Sequence, residues 1–124
     1  MQLTVDCRTG VHNQDIEVAD VGADVVLSWL KKLDGERYTL VSLERSDGSR
    51  IMIGGGPSLY VAALDDGKRN LTLQNPAGLE TEMVELCAGG QYGEYPKAIC
   101  VDQKQAAQAV TLFFEGNEFY VTWV

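Results

Sequence analysis

Apolar and polar residues alternate through "QLTVDC" at the start of the chain, with Leu3, Val5 and Cys7 on one side and Gln2, Thr4 and Asp6 on the other. That period of two predicts a half-buried strand. In "ADVGADVVLSWLKKLDG" the period lengthens, and Val26, Trp29, Leu30 and Leu33 fall on one helical stripe. Asp20 is placed to cap this helix and Gly35 to end it, while Lys31 and Lys32 sit where the helix dipole favours cations.

The segment "RYTLVSLERSDGSRIMI" predicts a hairpin turning at Asp47-Gly48, a pair suited to a two-residue turn with positive φ. "LYVAALDDGKRNLTLQN" repeats the device at Asp66-Gly67. Beyond Pro76, "TEMVELC" gives a weaker strand signal, and "AGGQYGEYP" predicts a loop by its composition. "AICV" predicts a short strand. Asp102 then opens a helix with Ala106, Ala109, Val110 and Phe113 on one stripe and Gly116 as its stop. "EFYVTWV" predicts a closing strand with Phe119, Val121 and Trp123 on one face.

Tight turns between neighbouring strands imply antiparallel pairing, and two helices cannot supply the crossovers of a parallel sheet. The expected fold is α+β: a twisted, mainly antiparallel sheet with two α-helices packed on one face. With 124 residues, the span 1–124 is expected to be a single domain.

The net charge of −8 argues against nucleic acid and anionic membrane as partners, and permits attraction to a basic one. Two tracts lack any base. Thr9 to Leu30 holds Asp15, Glu17, Asp20 and Asp24; Asn70 to Pro96 holds Glu80, Glu82, Glu85 and Glu94. No apolar run reaches the ~20 residues that span a bilayer, and the first residues lack an export-signal pattern, so the cytoplasm is the expected location.

Signals for chemistry are weak. Cys7, Cys87 and Cys100 have no metal-ligand spacing, and buried, reduced thiols are expected, with no metal and no cofactor. Gly54-Gly55-Gly56 is followed by Pro57 and a strand, not by a lysine and a helix, so it is no phosphate-binding loop. It reads as a bulge or wide turn, or as a place where a partner's backbone comes close. His12 could serve Cys7 as a base, but no third group is indicated to orient it. No pair of carboxylates has a spacing that marks general acid and base. Tyr92 and Tyr95, flanking Glu94 in a glycine-rich segment, instead suit a recognition surface, with Tyr95 also able to pack back on the sheet.

"IMIGGGPSLYVAAL" and "YPKAICVDQKQAAQAVTLFFEGNEFYVTWV" together resemble immunity protein family one of bacterial polymorphic toxin systems. The resemblance covers most of the chain, but residues 70–91 carry no signature of it. It implies a non-catalytic protein that neutralises a secreted toxin by binding, in a system of interbacterial competition. Members often neighbour nucleic-acid or nucleotide deaminase toxins, which need a basic surface to engage their substrate. The expected partner is therefore a basic toxin domain, bound by a monomer or weak homodimer that occludes its active site. The expected contacts are Glu80, Glu82, Glu85, Tyr92, Glu94 and Tyr95, with Gly54, Gly55 and Gly56 as close-contact backbone. The alternatives are a small anion- or ligand-binding module, a small enzyme using Cys7 or the carboxylates, and a toxin-secretion adaptor.

Overall fold

Leu3, Val5, Val41, Leu43, Ile51, Ile53, Ala62 and Leu64 are all buried, and strand register lines them up in two rows across a sheet. One row runs Leu3–Leu43–Ile51–Leu64 and the next Val5–Val41–Ile53–Ala62. The computed structural model describes all residues, Met1–Val124. Its strands are β1 (Gln2–Val5), β2 (Arg8–Thr9), β3 (His12–Asn13), β4 (Ile16–Val18), β5 (Leu40–Glu44), β6 (Arg50–Gly55), β7 (Tyr60–Asp65), β8 (Asn70–Thr72), β9 (Met83–Ala88) and β10 (Gln91–Pro96). Helix α1 (Ala23–Lys32) lies between β4 and β5, and α2 (Gln103–Glu115) follows β10. Six strands form one antiparallel sheet in the order β4-β1-β5-β6-β7-β8, and β9 and β10 form a separate hairpin.

Both helices cover the face that carries the two apolar rows. Val26 and Leu30 of α1 and Ala106, Ala109, Val110 and Phe113 of α2 join those rows in a single core. This is the α+β arrangement expected from the pattern. Helix α2 starts as its sequence indicates: Asp102 accepts from the Gln105 N–H while the Gln105 side chain accepts from the Asp102 N–H, a reciprocal capping box. Gly116 ends it in the left-handed conformation.

Several local expectations are corrected. Gly22, not Asp20, occupies the cap position of α1, and no side chain caps it. The Asp47-Gly48 and Asp66-Gly67 turns are longer than two residues. Asp47 accepts from the backbone N–H two residues ahead and Asp66 from those two and three residues ahead, which stabilises a wider loop. "AICV" is a short 3-10 turn, Lys97–Ile99, followed by a single bridge from Val101 to Tyr60. The chain end is not a regular strand. Glu118–Tyr120 form a 3-10 turn that leaves Phe119 exposed, and only the last residues run beside β8.

An ion pair explains that turn. Glu118 is buried and meets Arg45 in two parallel contacts of 2.9 and 3.1 Å, and Arg45 also donates to the Phe113 carbonyl at 3.0 Å. Pulling Glu118 inward rotates its neighbours Phe119 and Tyr120 out to solvent. The Arg45 guanidinium holds the Glu118 carboxyl below its ordinary range and, with the Ser49 backbone N–H, draws exposed Asp47 down to about 2. Depressed carboxylate pKa values contribute stability that is complete above the unfolded values near ~4 and lost as pH falls through the folded ones. The melting temperature should thus be level above about pH 5 and fall towards pH 2. Glu118→Gln should melt lower at pH 7 and show a shallower acid slope; identical slopes for both proteins would remove Glu118 from this role.

Candidate functional site

The helix-free face of the sheet is the chemically distinctive one. Its positions alternate with the buried rows: Gln2, Thr4, Ser42 and Glu44 on one side, then Arg50, Met52, Val61, Ala63 and Asp65. The β9–β10 hairpin packs across this face. Gly89 and Gly90, with φ of 63° and 78°, form its two-residue turn, joining Ala88 to Gln91. Positive φ at both positions is what a primed turn requires and what glycine supplies. The segment predicted as a loop is therefore strand β10, and the primed turn expected at Asp47-Gly48 occurs here instead.

Alternation sorts the hairpin side chains. Val84, Leu86, Ala88, Gly93 and Tyr95 face the sheet, whereas Met83, Glu85, Tyr92, Glu94 and Pro96 face away; Cys87 shares their side but is buried. Tyr95 is half-buried and lies close over Gly93: a Cβ on Gly93 would sit 3.3 Å from its ring. Of the two tyrosines, only Tyr92 is free, at 70% exposure. Beneath the hairpin, a groove of about 270 Å³ is lined by Leu40, Met52, Val61, Ala63, Tyr95 and Ile99.

Gly54 and Gly55 belong to the hairpin's seat, and Gly56 packs against the end of α1. A Cβ on Gly54 would lie 2.5 Å from the Ala88 Cβ, and one on Gly56 would lie 2.3 Å from the Leu33 carbonyl oxygen. Gly55 and Gly56 have φ of 105° and 96°. Gly54 and Gly55 are buried under the chain's own atoms, so these two offer no backbone to a partner, whereas Gly56 is half-buried. Gly54→Ala should cost about 1–3 kcal/mol by overpacking against Ala88. The double variant Gly54→Ala/Ala88→Gly should recover most of that loss; independent, additive losses in thermal denaturation would contradict the contact.

A buried carboxylate also fastens the tip of the hairpin. Asp6, expected on the wet side of its strand, is buried and accepts from the backbone N–H of Thr39 at 2.6 Å and of Leu40 at 2.9 Å. The Thr39 hydroxyl also donates to Asp6, and its oxygen accepts from the Gly90 N–H at 2.9 Å. Arg8 pairs with Asp6 at 2.6 Å, and its guanidinium lies against Gly90. The hairpin tip is thus tied to β5 through fully satisfied polar groups, which rigidifies its outer face.

On that outer face, Glu85 stands directly opposite Glu94. Like charges so placed are destabilising, and neither enters an ion pair. Tyr92 and the half-exposed Met83 flank them. Glu80 and Glu82 precede the strand rather than sharing a strand face, and Glu82 pairs with Lys97 at 2.9 Å. The acidic surface is therefore interrupted at Lys97, and on the sheet by Arg50 beside Glu44. The sequence pattern had no means to find Met83, because its partner strand was hidden.

Conventional reactive groups are poorly placed. Cys87 and Cys100 are buried and free, and burial pushes both thiols up. Cys7 is half-buried rather than buried. It lines an open cavity with His12 and Arg37, but no carboxylate reaches that cavity to orient the histidine. No group of three or more His, Cys, Asp or Glu side chains is arranged to hold a metal ion. No helix is long and apolar enough to cross a membrane.

No protein-family model matches the chain, and no curated protein matches it. The likeness to immunity proteins rests on the residues of the two blocks quoted above. Within them, Gly54–Gly56 and the Asp102–Gly116 helix have structural roles.

Proposed function

We propose that this protein binds a secreted bacterial toxin made by the same cell and neutralises it by covering the toxin's active site, with the outer face of the β9–β10 hairpin as the contact surface. The observation that carries this reading is the opposed, unpaired Glu85 and Glu94 beside exposed Tyr92 on a hairpin fixed at its tip. Holding two carboxylates face to face costs stability that a basic partner would return on binding. Carboxylates steer the encounter and the aromatic slows departure. Neutralisation must leave almost no free toxin, so a complex near 1 nM or tighter is expected, about −12 kcal/mol. The proposed toxin acts on nucleic acid or nucleotides, where a basic substrate surface offers the complementary charge.

Co-expression tests the reading. Cells producing the proposed toxin should grow only when this protein is also made. Continued killing at full expression of the folded protein would overturn it. Nucleotides and phosphate should leave its melting temperature unchanged, since Gly54 and Gly55 are buried and the segment is followed by Pro57 and a strand, not by a lysine and a helix.

A further inference from the structure

Strand β10 bonds to β9 and to no other strand. Because Ala88 and Gln91 flank a two-residue turn, they form a hydrogen-bonded pair, and the pairing then alternates along the hairpin. The backbone groups of Tyr92 and Glu94 consequently point away from β9. Neither residue's backbone bonds to anything outside the hairpin. The free edge of the six-stranded sheet, β4, is three residues long, whereas β10 of the hairpin has six. The outer side of β8 is occupied by the chain terminus, through paired bonds between Thr72 and Val124. Strand β9 is the member that packs on β6, where Ala88 meets Gly54 and Leu86 meets Gly55, with Leu86 and Cys87 buried.

Exposed edges are commonly blunted by lysine, proline or a bulge. From Gln91 to Tyr95, β10 has none of these; Pro96 only closes its end. We infer that β10 is a strand-addition site, and that an extended, basic segment of the partner joins it as a third strand of the hairpin. Main-chain bonds to Tyr92 and Glu94 would supply affinity, and alternating side chains specificity. Residues of the added strand on the outer face lie beside Glu94 and Glu85 and are basic. Residues on the inner face lie on the side of the groove lined by Tyr95, Val61 and Ile99 and are apolar. Charge disfavours a second copy of this chain as the occupant: it would bring −8 against −8 and Glu94 towards its own counterpart.

The inference rests on toxin binding for the partner's identity, but its test needs no toxin. The probe is the blocked peptide Lys-Val-Lys-Val-Lys-Val-Lys, added to the full-length, isotope-labelled protein while amide hydrogen exchange is followed. Tyr92 and Glu94 should exchange fast alone and at least tenfold slower with saturating peptide, whereas a peptide with Glu in place of Lys should protect neither. Glu94→Pro removes one outward N–H and leaves the ladder bonds of the hairpin in place, and should weaken binding at least tenfold. Glu94→Gln keeps that N–H and should retain the protection. Unchanged exchange at Tyr92 and Glu94, or protection on β4 instead, overturns the inference, and that readout needs no variant to fold. Edge protection without rescue in co-expression would defeat the toxin reading alone. Rescue by Glu94→Pro at full strength, with both wild-type amides unprotected, would defeat the edge alone.

Discussion

Trp123→Ala should lower stability by about 3–5 kcal/mol, the range for deleting a large buried aromatic. Only 9% of Trp123 remains exposed, and its indole N–H donates to the Glu118 carbonyl at 2.8 Å. That places the ring behind the turn that holds the Arg45–Glu118 pair, so its loss leaves a cavity and loosens a buried salt bridge together. Leu73, buried against the same segment, bridges to Trp123 and would lose its cover. For a chain of this length the melting temperature should fall by roughly 10–20 °C. Trp123→Phe keeps most of the packing and loses only the N–H donor, so its deficit should be clearly smaller. A thermal scan in which Trp123→Ala melts with the parent would remove the C-terminal segment from the core.

The second large effect is expected on binding. Replacing Tyr92 and Glu94 together by Ala should weaken the toxin complex by at least ~100-fold, equivalent to about 2.7 kcal/mol. Interface energy concentrates in a few aromatic and charged anchors, and these two residues share the outer face of one strand. The melting temperature should stay within a few degrees, because neither side chain contributes to the core. Removing Glu94 also relieves its opposition to Glu85, so a slight rise in stability would fit the same account. Calorimetry reads both quantities. Unchanged affinity would exclude the hairpin face, whereas lost affinity with a large drop in melting temperature would mark a folding defect instead.

How far the sequence reaches depends on whether side chains or distant contacts decide the local structure. Leu3, Val5, Leu43 and Ile51 alternate because one face of their strands is buried, and the alternation reads directly. The α2 helix carries its own start and stop in Asp102, Gln105 and Gly116. Strand β10 was illegible for a physical reason: its inward positions are Gln91, Gly93 and Tyr95, so the first is polar and the second is a glycine that makes room for a ring. The C-terminal strand failed because Glu118 is drawn inward by Arg45, 73 residues away in sequence. Asp20 failed as a cap because Gly22 stands at that position without any side chain.

The site was legible in part. Tyr92, Glu85 and Glu94 were legible as residue types in a base-free tract, and the structure brings them onto one face. Glu80 and Glu82 fall off the strand, Tyr95 turns towards the groove, and the glycines pack against the hairpin (Gly54, Gly55) and the end of α1 (Gly56). What local pattern could not contain was the opposition of Glu85 to Glu94, because that depends on a turn at Gly89-Gly90 which composition assigns to a loop.

The most direct measurement is a titration of the proposed toxin's activity in vitro with this protein. At toxin concentrations well above 1 nM, activity should fall linearly to zero at one equivalent, and the Tyr92→Ala/Glu94→Ala variant should need a large excess. Undiminished toxin activity in the presence of excess folded protein would contradict the account.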